Sequence, residues 1–492
     1  MNIQLIGHSY KYAVEQIMLS VFPDERPLYT DTAISDNYVR SSLVIENGEA
    51  VCYTDIIYMG RAGSAAQVLP DPLPANRLLR DRILQKTIKL SFYSAAMHIV
   101  EKPPPWGALT GIRPAKLSTG YIENTSADLD DAALYLQQEY FVDPARSKLC
   151  ADASGAALRV KNMLKPRDVS MYIAIPFCPT RCAYCSFVSQ ATDKSMKLID
   201  PYLDALFYEI EETGRILKDL QMRVVSLYIG GGTPTTLTAL QLGRLFEKTA
   251  HCIDLSRLSE FSVEAGRPDT IDPQKLETCK VFGVNRISIN PQSMDNNVLA
   301  AIGRRHTGED IINSYFLARE TGFNVINMDL IAGLPLDTFD GFKMSLDKVI
   351  SLSPENITVH TLSVKRGSRL NESRVPVPGG EEVGQMLDTA LFKLRANKWN
   401  PYYLYRQKFT AGGYENTGWS KAGTDCLYNI CIMEELHSII SLGAGGVTKL
   451  VNQASGRIER IFNKKYPMEY IEDIKNITAK KKDIAVFEKE NN

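Results

Sequence analysis

Between residues 170 and 365, six short β-branched runs alternate with longer amphipathic stretches. In order they are SMYIAIP, VVSLYIGGG, EFSVEAG, NRISINPQS, NVINMDLIAGLP and NITVHTLSV, and a helix-forming segment follows each. A strand then a helix, repeated, brings successive strands together in parallel with the helices outside, so the expected fold is α/β, a full or partial barrel. Chemistry in such a barrel gathers at the C-terminal ends of the strands. The residues at those ends are more than scaffold. IPFCPTRCAYCSF follows the first run and GGGTPT the second; Glu264 closes the third, Gln292 lies just past the fourth, Asp329 sits in the fifth and KRGSR leaves the sixth.

Cys178, Cys182 and Cys185 crowd into eight residues. A disulfide uses only two of three thiols, and a zinc site normally takes a fourth Cys or His nearby, which the following residues do not offer. What remains is a site with three protein ligands and one open metal position. Thiolates at this spacing can hold three irons of a [4Fe–4S] cube and leave the fourth to a non-protein ligand. Tyr172, Pro176, Phe177 and Tyr184 flank the loop and can keep water from a cluster. Gly230, Gly231 and Gly232 follow a strand, where a glycine run lets backbone N–H groups approach a ligand closely. The other six cysteines are scattered singly, as expected of reduced thiols.

The chain has 492 residues, beyond the size at which a single core stops growing, so more than one domain is expected. Residues 1–165 mix strand-like and helical stretches and read as a separate N-terminal α+β domain ending at the polar LKPRDVS linker. Residues 166–372 form the barrel, and 373–492 a C-terminal α/β extension. PPPWGALTGIRPAKL reads either as a rigid loop that packs Trp106 or, through Trp106, Arg113 and Lys116, as a contact with substrate or partner. The run Lys480, Lys481, Lys482 reads as a solvated face. A formal net charge of -1 argues against coating nucleic acid or an anionic membrane by bulk charge. With no apolar run approaching membrane-spanning length and no signal-peptide pattern, a cytoplasmic protein is expected, without a membrane span and without nucleic acid as a partner.

The pattern Y-x-x-I-P-F-C-x-x-x-C-x-Y-C-x-F followed by GGGTPT resembles the radical S-adenosylmethionine (SAM) superfamily. Within it, the chain is similar to the oxygen-independent coproporphyrinogen III oxidase family from about Met171 to LGAGG near 446. With WGALTGIRPAKL and YYLYRQK it looks most like the coproporphyrinogen dehydrogenase branch. The resemblance implies a radical SAM partial (βα)6 barrel whose cluster is held by Cys178, Cys182 and Cys185. It implies that Tyr172, Gly231 and Glu264 contact the SAM bound to the open iron, Tyr172 and Glu264 being the catalytic pair. A second SAM would meet Gly232, Thr233, Gln292, Arg304, Asp329 and Ser363. Glu264 and Asp329 can accept hydrogen bonds from ribose hydroxyls or an ammonium, and Arg304 can fork onto a carboxylate.

The implied reaction converts two propionates of coproporphyrinogen III to vinyl groups, giving protoporphyrinogen IX, two carbon dioxides, and methionine with 5′-deoxyadenosine. A reductant protein such as flavodoxin or ferredoxin supplies the electron that cleaves SAM, and loss of carbon dioxide needs a one-electron acceptor, which the sequence does not name. A tetrapyrrole with four propionates needs cations and apolar walls. Lys365, Arg366 and Arg369 beside His360, and Arg406 with Tyr402, Tyr403, Tyr405 and Lys408, are the candidates. Two positions depart from the family's oxidases: Ala174 stands where they have His, and Phe187 where they carry a further Cys. Relatives that deliver haem also lack that Cys, so a haem chaperone is the alternative reading, and a radical enzyme that methylates or opens a porphyrin ring is another.

Overall fold

In the computed structural model five helices among the six runs begin on a side-chain cap. Thr238 accepts from the Gln241 N–H and Thr307 from that of Asp310, each in a reciprocal capping box, while Asp272, Asp295 and Thr338 cap three more helices. Residues 1–30, 36–46, 49–69, 73–187, 190–191, 196–365, 367–373, 375–408 and 410–491 are described. Arg366 therefore lies outside the described residues.

The chain divides into two compact units, Met1–Ala151 with Arg406–Tyr414, and Asp152–Tyr405 with Glu415–Asn492. The boundary expected near 165 thus falls inside the helix Pro144–Met163, because the second half of that helix packs Ala156, Ala157 and Val160 into the core that also holds Tyr402 and Ile439. The stretch from 373 onward is not a body of its own. Most of it belongs to the barrel unit.

The N-terminal unit holds β1 (Asn2–Ile6), β2 (Leu28–Tyr29), β3 (Tyr38–Glu46), β4 (Glu49–Tyr58) and β5 (Arg61–Val68) in one sheet of order β2-β1-β3-β4-β5. Val39, Ser41 and Leu43 alternate with outward residues, so the sheet buries one face, against the helices Lys11–Val21 and Arg77–Ala96. Trp106 is fully buried, with the Arg406 guanidinium 5.3 Å over its ring. The Trp106 side chain of that proline-rich stretch is thus packed.

The second unit holds β6 (Asp168–Ile175), β7 (Phe177–Cys178), β8 (Gln190–Ala191), β9 (Arg223–Gly231), β10 (Glu260–Glu264), β11 (Arg286–Ser288), β12 (Val325–Ala332), β13 (Asn356–Thr361), β14 (Asn400–Arg406), β15 (Glu415–Ser420), β16 (Ile439–Leu442), β17 (Val447–Val451) and β18 (Ile458–Phe462). β6, β9, β10, β11, β12 and β13 pair consecutively and in parallel, which is the partial barrel. β15 adds antiparallel to β13, and β16 adds parallel to β6.

One face of these strands carries polar side chains that pair with one another. Ser170 pairs with Ser226, Glu260 forms a 3.3 Å ion pair with Arg286, Arg286 donates to Asn356, and Thr358 donates to Asn327 at 3.2 Å. Glu260 also accepts the Leu427 and Tyr428 N–H groups at 2.8 and 3.0 Å. That anchors the helix Leu427–Glu434 at the N-terminal end of the strands, a helix start meeting a carboxylate.

The lysine run corrects an expectation. Lys480 and Lys482 are exposed, but Lys481 is fully buried and paired at 3.2 Å with Glu209, itself fully buried. Lys481 also donates to the Ser441 carbonyl at 2.5 Å, while Glu209 accepts from the Gly443 N–H and the Tyr470 hydroxyl at 2.7 and 2.5 Å. The C-terminal helices are thereby joined to the barrel edge.

Candidate active site

The three cysteines lie where the chain leaves β6, and no cysteine of the described residues is in a disulfide. Hydrogen bonds to neighbouring segments hold the loop. The Thr180 hydroxyl donates to the Gly303 carbonyl at 3.0 Å, the Ala183 N–H to Ile302 at 2.9 Å, and the Arg181 guanidinium to Gly367 at 2.7 Å. Phe177 is buried edge-on against Tyr202, ring centres 5.4 Å apart, which closes the inner side of the loop to water.

The thiols sit in different electrostatic settings. Burial opposes ionisation of Cys182, but the Arg304 and Arg267 guanidinium groups outweigh it and hold this thiol below the usual range. At Cys185 burial outweighs the Phe187 N–H and the Arg181 guanidinium and pushes the thiol up to about 11. Cys178 accepts a hydrogen bond from the Thr233 hydroxyl at 3.5 Å, so Thr233 serves the cysteine loop directly. Among the described residues no three His, Cys, Asp or Glu side chains gather around a single metal ion.

The glycine run is required at the β9 end. Gly231 has φ of +104°, and a Cβ on Gly232 would stand 2.5 Å from the Phe177 carbonyl oxygen. On Gly230 a Cβ would press on the Glu264 carboxyl at 3.0 Å. The Gly232 and Thr233 N–H groups bond back to Ile175 and Phe177 at 2.8 and 2.7 Å, so this turn and the cysteine loop share one backbone ladder.

Glu264 accepts from the Tyr228 hydroxyl at 2.6 Å, and burial raises its carboxyl to about 7. Tyr228 stacks on Tyr428 with ring centres 4.6 Å apart, and Tyr172 stacks on both at 6.1 and 6.0 Å. Asp329 accepts from Asn327 at 2.8 Å and lies 3.7 Å from His360; burial opposes its ionisation, but the His360 contact outweighs this and lowers it. Gln292 adopts φ of +67° and bonds backbone to backbone with Asp329 at 2.8 Å. Its side-chain oxygen, with Asn290 Oδ1 and Arg304 Nε, is buried without a hydrogen-bond partner. Three orphaned polar atoms in one region are what a polar ligand would satisfy.

Arg304, expected to fork onto a carboxylate, is already partly engaged by protein. Its terminal nitrogens already donate to the Asn290 and Gly266 carbonyls at 2.5 and 3.2 Å and to the Tyr184 hydroxyl at 3.2 Å. Of its five N–H groups, the one on Nε and one on Nη2 are left for a ligand or for the Cys182 sulfur. Ser363 is half-buried just past β13, and Lys365 and Arg369 stand exposed on the following loop. Arg406 does not join them. It lies in the N-terminal unit, buried, donating to the carbonyls of Leu109 and Gly413, so its charge is spent on backbone. Lys408 likewise sits 4.6 Å over the Tyr12 ring. Tyr402 and Tyr403 are buried core residues, and Tyr405 approaches the site, 3.4 Å from His360 Nδ1.

Sequence reasoning missed Tyr228, Tyr428, Asn290 and Arg267. Tyr228 was legible by alternation, two residues before the glycine run on the face that carries Ser226. Tyr428 carries no local signal.

The raised carboxyl gives a testable sign. An acid raised on folding stabilises the folded state below its unfolded value and loses that contribution as pH climbs through its folded one. For Glu264 the window runs from 4.5 to about 7. The cofactor-free protein should lose stability across it by at most about 1.4 kcal/mol per pH unit. Urea unfolding of wild type and Glu264→Gln side by side checks this: wild type should lose stability relative to Glu264→Gln as pH rises through the window and the difference should level off above it, and parallel pH curves would refute it.

The three thiols, the two cations at Cys182, the glycine turn and the orphaned polar atoms fit a cube cluster with SAM beside it. Comparison with known proteins agrees. The Radical SAM superfamily profile matches residues 172–349. The oxygen-independent coproporphyrinogen-III oxidase-like protein HemZ of Bacillus subtilis (strain 168) is 40% identical over 399 residues, 80% of this chain and 79% of HemZ. The haem chaperone HemW of the same organism is 33% identical over 293 residues, 58% of this chain and 73% of HemW. The solved structure of coproporphyrinogen III oxidase HemN from Escherichia coli shares the fold, with a TM-score of 0.53, 22% identity, and coverage of 65% of this chain and 72% of that one. With the cysteine loop, the glycine turn and Glu264 at the ends of adjacent parallel strands, and a relative matched across most of both chains, this protein belongs to the oxygen-independent coproporphyrinogen III oxidase family of the radical SAM superfamily.

Proposed function

We propose that the protein carries out oxygen-independent oxidative decarboxylation of coproporphyrinogen III to protoporphyrinogen IX. Family membership implies a [4Fe–4S] cluster and SAM; when bound, they would supply one-electron cleavage of SAM to methionine and a 5′-deoxyadenosyl radical able to take hydrogen from a propionate side chain, and the loss of carbon dioxide that follows would pass one electron to a one-electron acceptor. The observation that carries the reading is the convergence of Cys178, Cys182, Cys185, Gly231 and Glu264 with two exposed cations, Lys365 and Arg369, on the loop tied to the cysteine loop through Arg181 and Gly367.

Each group has a separate task. Cys178, Cys182 and Cys185 hold three corners of the cluster. Tyr172, Gly231 and Glu264 orient SAM at the open corner, Glu264 accepting hydrogen bonds and Tyr172 supplying a flat wall backed by Tyr228 and Tyr428. Gly232, Thr233, Gln292, Arg304, Asp329 and Ser363 border a second SAM, a role supported by the unpartnered Gln292 Oε1 and Arg304 Nε. Lys365 and Arg369, with Arg366, bind propionates; Arg406 is withdrawn from that set. A reductant protein such as flavodoxin or ferredoxin supplies the electron. A haem chaperone is the second reading. It is favoured by the likeness to HemW and by Phe187, which is 67% exposed where the resembled oxidases have a further Cys.

Anaerobic turnover of coproporphyrinogen III with SAM and a reductant, followed by mass loss, tests the first reading. The Michaelis constant should rise about ten- to a hundredfold in Lys365→Ala or Arg369→Ala, since each charge-assisted hydrogen bond is worth roughly 1.5–3 kcal/mol. Stable haem binding by the wild type, with no mass loss in substrate, would select the chaperone.

A further inference from the structure

Arg267 stands three residues beyond Glu264, where the chain leaves β10, and its side chain is only 3% exposed. One edge of its guanidinium is clamped by Asp269 through two hydrogen bonds, Nε to Oδ1 at 3.0 Å and Nη2 to Oδ2 at 2.9 Å. The remaining nitrogen, Nη1, points into the cysteine loop. It donates to the Thr180 hydroxyl at 3.1 Å and lies 3.8 Å from Cys182 Sγ. A planar fork fixed on one side by a carboxylate cannot swing away, so the charge and the N–H direction at Cys182 are built in.

We propose that Arg267, oriented by Asp269, sets the reduction potential of the cluster held by Cys178, Cys182 and Cys185. The inference rests on the cluster assigned under the proposed function. Reduction adds a negative charge to the cluster, and hydrogen bonds to its sulfurs together with nearby fixed positive charge favour that state. A guanidinium buried this deeply escapes the screening that blunts surface charges. Asp269 does two opposed things: it aims the guanidinium, and its own negative charge cancels part of the effect. Arg267 is thus a positioning residue for the cluster, with no contact to substrate required.

The two charges predict opposite shifts. With wild-type iron content and SAM absent, the midpoint potential of the reconstituted protein, followed by the paramagnetic signal of the reduced cluster, should fall in Arg267→Gln by at least a tenfold change in the reduction equilibrium, about 59 mV for one electron. Arg267→Lys, which keeps the charge and loses the fork, should fall less. Asp269→Asn should move the potential upward. A role limited to bracing the loop predicts no such opposed pair, so unchanged potentials in Arg267→Gln and Asp269→Asn with full iron would overturn the proposal. Should Arg267→Gln fail to hold a cluster, Asp269→Asn decides alone: an upward shift supports the proposal, and an unchanged or lowered potential overturns it. A wild-type protein that assembles no cluster is a different result, and removes the functional reading as well.

Discussion

Cys182→Ala abolishes both the broad iron–sulfur absorbance of the reconstituted protein and all cleavage of SAM. The effect is complete rather than partial because two thiolates cannot hold three corners of a cube. Cys178→Ala and Cys185→Ala should match it, although the three thiols differ in environment, Cys182 held down by two guanidinium groups and Cys185 pushed up to about 11 by burial. The comparison variant is Cys279→Ala. That thiol is fully buried, and burial pushes it up to about 12, so it packs as a small apolar group and its loss leaves iron content untouched. Iron and sulfide analysis with anaerobic assay of 5′-deoxyadenosine reads both. An intact cluster in Cys182→Ala would sink the assignment of the loop.

Lys481→Met should cost about 3–5 kcal/mol of stability, the largest single effect expected away from the cysteines. Neither Lys481 nor Glu209 is exposed at all, and removing the ammonium strands a carboxylate that keeps only neutral donors. Lys480→Ala and Lys482→Ala, one residue to either side and exposed, should change stability by no more than about 0.5 kcal/mol. The double variant Lys481→Met with Glu209→Gln should recover much of the loss, since the penalty comes from the unpaired charge rather than from the missing bond. Denaturant unfolding of the four proteins separates these outcomes. Equal costs for Lys480 and Lys481 would contradict the buried pair.

How much was legible follows from which interactions are local. The caps at Thr238, Asp272, Asp295, Thr307 and Thr338 are satisfied by N–H groups within three residues, so helix starts could be read without knowing what the helices pack on. Strand alternation predicted the parallel order and placed the cysteine loop, the glycine turn, Glu264 and Asp329 at one end of the sheet. Arg406 failed as a propionate ligand because a tyrosine-rich strand ending in Arg looks the same whether its last residue meets solvent, a ligand or a neighbouring loop. Here it meets the Leu109 carbonyl and the Trp106 ring.

The sequence by itself determined the chemistry-bearing segments: three thiols at cluster spacing, glycines where a Cβ would strike the Phe177 carbonyl, and six strand–helix repeats to carry them. These are properties of short chain segments, fixed by covalent spacing and backbone sterics. Tertiary structure alone decided the partners. It stacked Tyr428 on Tyr228 across two hundred residues of chain, buried Lys481 inside a run that reads as solvated, clamped Arg267 beside Cys182, and moved the unit boundary into the middle of a helix. The physical reason is that a side chain's burial and charge partner depend on which elements meet in space, and neither residue type nor local periodicity carries that information.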